Sequence, residues 1–70
     1  MTNLLMQENI RRDAKFRSTN IEGVNVYALY MPDTCFGMVT ENSYRRDQYV
    51  RSGYSVIGVF KNGIEQINAN

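Results

Sequence analysis

Histidine and tryptophan are absent from this sequence, and cysteine and proline occur once each. Without histidine the proton shuttle of a Ser-His-Asp or Cys-His arrangement is missing, so neither can be assembled within one chain. A zinc site made of several cysteines and histidines is excluded for the same reason, and a lone Cys35 cannot cross-link the chain to itself. Cys35 therefore reads as a small core hydrophobe, reduced in the cytosol, since nothing near it in sequence would lower its pKa. The acids Glu8, Asp13, Glu22, Asp33, Glu41, Asp47 and Glu65 are spread thinly, most of them in turns, caps or helix flanks where an acid has an ordinary structural reason. The five glycines are scattered and build no phosphate loop. The expectation is a protein that is not an enzyme and has no cofactor or metal.

Seventy residues make one domain, residues 1–70, and a chain this short buries only about 60 % of its unfolded surface. With no disulfide or metal as a staple, a partner chain is the remaining support, and a hydrophobic fraction of 43 % makes a homodimer the expected state. The opening MTNLLMQENIRR has no basic residue ahead of its apolar run, which at three residues is too short for a signal-peptide core. No segment approaches the length that spans a bilayer. The expected location is the cytoplasm, with no membrane partner.

Residues 3–12 read as a short helix with a narrow apolar face, Met6 and Ile10 being four apart. Residues 14–19, AKFRST, alternate and read as a half-exposed strand or extended arm, so residues 1–20 form a mobile arm or short helix beside a core of 24–67. The run VNVYALYM, rich in β-branched and aromatic residues, is a strand over 24–31, with Val24, Val26, Ala28 and Tyr30 on one face. Pro32 and Asp33 stop it, and CFGMVT returns antiparallel. Asn42 or Ser43 caps a helix that runs to about Ser52 and ends at Gly53. YSVIGVF is a second strand, with Tyr54, Val56, Gly58 and Phe60 on one face and Ile57 and Val59 on the other, which suits an interior strand. Asn62-Gly63 supplies the positive φ angles of a type I′ hairpin, IEQI returns, and 68–70 should fray. Gly37 and Gly58, costly inside strands, mark bulges or close approaches. The predicted fold is α+β: an antiparallel sheet of about four strands with one helix packed across it, plus a weak N-terminal helix.

Net charge is only +1, from eight basic and seven acidic residues, but the basic residues cluster. Arg11, Arg12, Lys15 and Arg17 form one group, Arg45, Arg46 and Arg51 another. The second group lies in SYRRDQYVRSGY, which holds three tyrosines and three arginines. At 100° per residue Tyr44 lies nearly opposite the direction of Tyr49 and Val50. Tyr49 and Val50 are expected to anchor the helix on the sheet, with Tyr44 turned outward beside the arginines. Exposed tyrosine next to arginine is the composition of binding hot spots. The candidate contact residues are Tyr44, Arg45, Arg46 and Arg51, with Arg11, Arg12, Lys15 and Arg17 as a second patch.

The run QYVRSGYSVIGV, residues 48–59, resembles the helix-turn-strand unit of very small phage-encoded proteins that bind and inhibit host machinery. The shared pattern is an aromatic near the helix end, a glycine, another aromatic and alternating valines. The resemblance implies a small stoichiometric inhibitor and carries over no functional residue. The expected function is accordingly inhibition or regulatory adaptation through protein-protein contacts. Two alternatives use the same basic residues: a nucleic-acid-binding regulator, which the small net charge disfavours, and a binder of a small anionic ligand on which both clusters converge at a dimer interface.

Overall fold

The computed structural model describes residues 3–67; the three C-terminal residues expected to fray lie outside them. The elements are α1 (Leu4–Asn20), β1 (Val26–Met31), β2 (Phe36–Thr40), α2 (Ser43–Arg51), β3 (Ser55–Lys61) and β4 (Ile64–Glu65). The strands form one antiparallel sheet in the order β2-β1-β3-β4. With a helix packed across that sheet and an N-terminal helix, the molecule has the α+β architecture that the sequence predicts.

Residues 14–19 are not a strand or an arm: α1 continues through them to Asn20. Asn3 caps the helix, its side chain accepting from the Met6 N–H at 3.0 Å. Ile10, Ala14 and Ser18, spaced by four, form one line, and all three are buried against the sheet. The last two are small, so they let the helix axis come close to the strands while contributing almost nothing to a hydropathy pattern. The alternation of AKFRST is real but idle, and it turns Phe16 outward, 69 % exposed. Ser18 and Thr19 hydroxyls donate back to the carbonyls of Lys15 and Phe16 at 2.7 and 2.6 Å, closing the last turn.

Val26, Ala28 and Tyr30 of β1 face α1 and join Ile10, Ala14 and Phe60 in the core. Tyr27 and Leu29 point to the other face, yet they are also buried, so this strand is covered on both sides. The cover on the second face is α2, for a topological reason. β2 and β3 are each antiparallel to β1 and flank it, so they are parallel to each other. A connection between them must cross the face of β1 and cannot turn tightly. The molecule thus has three layers, with α1 and α2 on opposite faces of the sheet.

On β3 the expected faces change halfway. Ala28 pairs with Gly58 but Leu29 pairs with Val56, which leaves Ile57 as an extra residue in a bulge. Gly58 and Phe60 stay on the α1 face, and Ile57 joins them against the core. Val56, expected beside Gly58 and Phe60, instead shares the α2 face with Leu29 and is 41 % exposed. Gly58 therefore marks both a bulge and a close approach, since a Cβ there would lie 3.0 Å from the Phe60 ring and 3.5 Å from Arg11 Cγ. Asn62 and Gly63, at φ 54° and 79°, make the tight turn expected of Asn-Gly. The Asn62 carboxamide oxygen accepts from the Gly23 N–H at 2.9 Å and ties this hairpin to the loop after α1.

Cys35 is half-buried against the core, and the Tyr30 hydroxyl donates to its sulfur at 3.4 Å. That hydrogen bond, together with burial, holds the Tyr30 proton and raises its pKa above the ordinary 10.0. Because the folded value is the higher one, the associated stability is complete below pH 10.0 and is lost as pH rises through the folded pKa. An alkaline absorbance titration of tyrosinate is expected to show Tyr30 ionising above pH 10.0. In a Cys35→Ala variant that step should move to lower pH, and an unmoved curve would show that the bond does not hold the proton.

Candidate interaction surface

The second helix begins where the sequence predicts. The Asn42 side chain accepts from the N–H groups of Tyr44 and Arg45 at 2.9 and 3.1 Å. At the far end Ser52 donates its N–H into the last turn, and Gly53, at φ 113°, turns the chain toward β3. None of its residues is fully buried, so its attachment to the sheet is polar and aromatic instead of aliphatic.

Two contacts make that attachment. The Arg46 guanidinium carbon lies 4.7 Å from the centre of the Tyr27 ring, a cation-π geometry. The same group donates twice to Asp47 Oδ1, at 2.9 and 2.7 Å. The bond to Asp47 raises the Arg46 pKa and keeps its charge fixed. Tyr49 packs edge-on against Tyr54, with ring centres 5.3 Å apart. Tyr49 thus packs on the residue that precedes β3. Val50 is not the anchor expected of it, being 44 % exposed, because Arg46 occupies the sheetward side that Val50 would have to share. The half-buried Arg46 guanidinium is thus engaged by Tyr27 and Asp47 of its own chain.

What α2 turns to solvent is Tyr44, 75 % exposed. Tyr44 and Arg51 are seven positions apart, so they project within about 20° of each other, while Arg45 lies about 100° around the helix from Tyr44. Among the described residues, no carboxylate lies within ion-pair distance of Arg45 or Arg51. An amphipathic aromatic ring and the Arg51 guanidinium therefore share one face of the helix, with Arg45 to one side of it.

The first basic cluster is dispersed by folding. Arg11 pairs with Glu65 of β4 and stands over the Phe60 ring at 5.9 Å. Arg17, on the side of α1 toward β2, pairs with Glu41 at 3.1 Å. Arg12 and Lys15 are exposed and border a hollow of about 430 Å³ with Arg11, Glu8, Phe60 and Glu65. Its two carboxylates nearly balance its three cations. Since α1 and α2 cover opposite faces, the two clusters do not converge within one chain. The surface that sequence reasoning missed borders β2: Phe16 and Phe36 are 69 % and 63 % exposed. The sequence marks Phe36 as a strand residue, but whether that strand lies at an edge is not a local property of sequence.

No group of three or more histidine, cysteine or carboxylate residues is placed to hold a metal ion among the described residues. No helix there is long and apolar enough to cross a membrane. Comparison with models of known families, with curated proteins and with solved structures finds no match to this chain.

Proposed function

We propose that this chain is a small non-enzymatic binding protein of the cytoplasm, a homodimer that acts stoichiometrically as an inhibitor or regulatory adaptor by docking on another protein. The observation that carries this reading is the outward face of α2. Tyr44 is 75 % exposed, and among the described residues no carboxylate pairs with the neighbouring Arg45 and Arg51. Such a face supplies contact area at low entropic cost and pairs with an acidic surface on the partner. Nucleic acid is the less favoured partner. Of the eight basic residues, Arg11, Arg17 and Arg46 are already neutralised by carboxylates, and phosphate binding depends on unpaired cations.

The test is recovery of partners from a bacterial lysate on the tagged full chain, with and without nuclease, beside a Tyr44→Ala/Arg51→Ala variant. A stoichiometric protein that resists nuclease and binds the variant roughly thirtyfold more weakly is expected, since hot-spot truncations cost about 2 kcal/mol or more. Both altered side chains are exposed, so the fold should survive. Recovery abolished by nuclease, with a steep linear log-log salt dependence, would instead assign the face to nucleic acid. Arg46 is left unaltered because its loss would loosen α2 itself.

A further inference from the structure

We propose that the outer edge of β2 pairs with the same edge of a second copy of the chain, antiparallel about a two-fold axis at Met38. This rests on the homodimer part of the reading above and adds to it the edge and the register.

The two edges of the sheet differ. β4 has two residues, one of them Glu65, which Arg11 holds, and the charged Lys61 of β3 stands opposite the other. A short, charged edge resists further pairing. β2 has five residues, Phe36–Thr40, in unbroken register with β1. It contains no charge and no proline, and the bulge of the sheet lies in β3. None of the devices that normally blunt an edge is present on it, and alternate residues direct their N–H and C=O groups outward.

The surroundings suit a second copy. About a two-fold axis at Met38, Phe36 stands opposite Thr40 of the partner subunit, and Gly37 stands opposite the partner's Val39. Phe36, 63 % exposed, would then be covered on the α2 face. On the α1 face a hollow of about 500 Å³ runs along β2, lined by Ile10, Asp13, Phe16, Arg17, Gly37 and Val39 among others. Its guanidinium, Arg17, pairs with Glu41 within each copy, and its carboxylate, Asp13, is exposed and stays in water at the rim of an isologous contact. The pairing would join two four-stranded sheets into a single eight-stranded one and bury the apolar border of the hollow, support that a chain of 70 residues without a staple needs.

Light scattering of the unaltered full chain is expected to give twice the monomer mass. A Cys35→Ser/Met38→Cys variant under mild oxidation should cross-link to the dimer, because facing Cα atoms of an antiparallel pair lie about 4.5–5.5 Å apart, within disulfide range. A Cys35→Ser/Val56→Cys control, its thiol on β3, should not. Met38→Lys, which opposes two ammonium groups across the axis, should shift the protein to the monomer mass with unchanged far-UV circular dichroism. A monomer mass for the unaltered chain overturns both the dimer and the edge, and would be the outcome if a segment of a different protein occupied β2. A dimer that cross-links equally well or only through residue 56, or that persists in folded Met38→Lys, overturns the β2 edge and leaves the homodimer standing.

Discussion

Replacing Gly37 by alanine is expected to destabilise the fold by about 1–3 kcal/mol, the usual cost of forcing added volume against a packed side chain. At an ordinary strand position the same change is favourable by about 0.5–1 kcal/mol, because alanine loses less backbone entropy than glycine. The sign is reversed here by one contact. A Cβ at Gly37 would overlap Cδ1 and Cγ1 of Ile10, and Ile10 is a core residue only 8 % exposed. Either Ile10 leaves its rotamer or α1 lifts from the sheet, and lifting also loosens Ala14. Urea denaturation should show a lower midpoint with an unchanged slope. The control is the same substitution in an Ile10→Ala background. There the added methyl fills part of the space vacated, so Gly37→Ala should be neutral or stabilising, and the double-mutant cycle should show strong coupling. Additive effects would mean that the helix does not press on β2 at this point.

Ser18→Ala is expected to cost about 1 kcal/mol, the net worth of the hydrogen bond that the half-buried Gly63 N–H loses. Ser18 is 0 % exposed. Its hydroxyl donates to the Lys15 carbonyl at 2.7 Å and accepts from the Gly63 N–H at 2.9 Å. Through that second bond the end of α1 holds the β3–β4 hairpin. Alanine is the better helix former by up to about 0.7 kcal/mol, which is too little to offset the orphaned amide. The measurement is amide hydrogen exchange alongside denaturation. Gly63 should lose protection selectively while the β1 amides retain theirs relative to global stability. If Gly63 stays protected and the midpoint does not move, the hydroxyl is not the link.

Ser18 also shows where sequence reading stops. Its spacing from Ile10 and Ala14 was visible, but a line of one isoleucine, one alanine and one serine carries too little hydropathy to outweigh the alternation of AKFRST. That such small side chains are core residues follows only from the closeness of the strands. Gly37 was easier, because glycine inside an otherwise β-branched strand already asks for a close approach, although it did not say that Ile10 would make it. The candidate site divides in the same way. Tyr44 opposite Tyr49 was legible from helical geometry alone. Arg46 on Tyr27 was not, since those residues come from separate elements and an arginine in a basic run is read as solvent-facing by default. The pairing of Arg11 with Glu65 spans 54 positions, beyond any local pattern.

What the sequence determined by itself was local. Asn42 caps, Asn62-Gly63 turns, Pro32-Asp33 stops, and β-branched runs extend, because each depends on backbone preferences and hydrogen bonds within a few residues. The exclusion of histidine-based chemistry is of the same kind, being a matter of composition. The tertiary structure decided which helix covers which face, that a bulge at Ile57 exchanges the faces of β3, that the two arginine clusters are separated by the thickness of the sheet, and that β2 is left as an edge. Those outcomes depend on how distant segments share space. The crossing of α2 over β1 follows from two parallel strands flanking an antiparallel one, a relation that no short window of sequence contains.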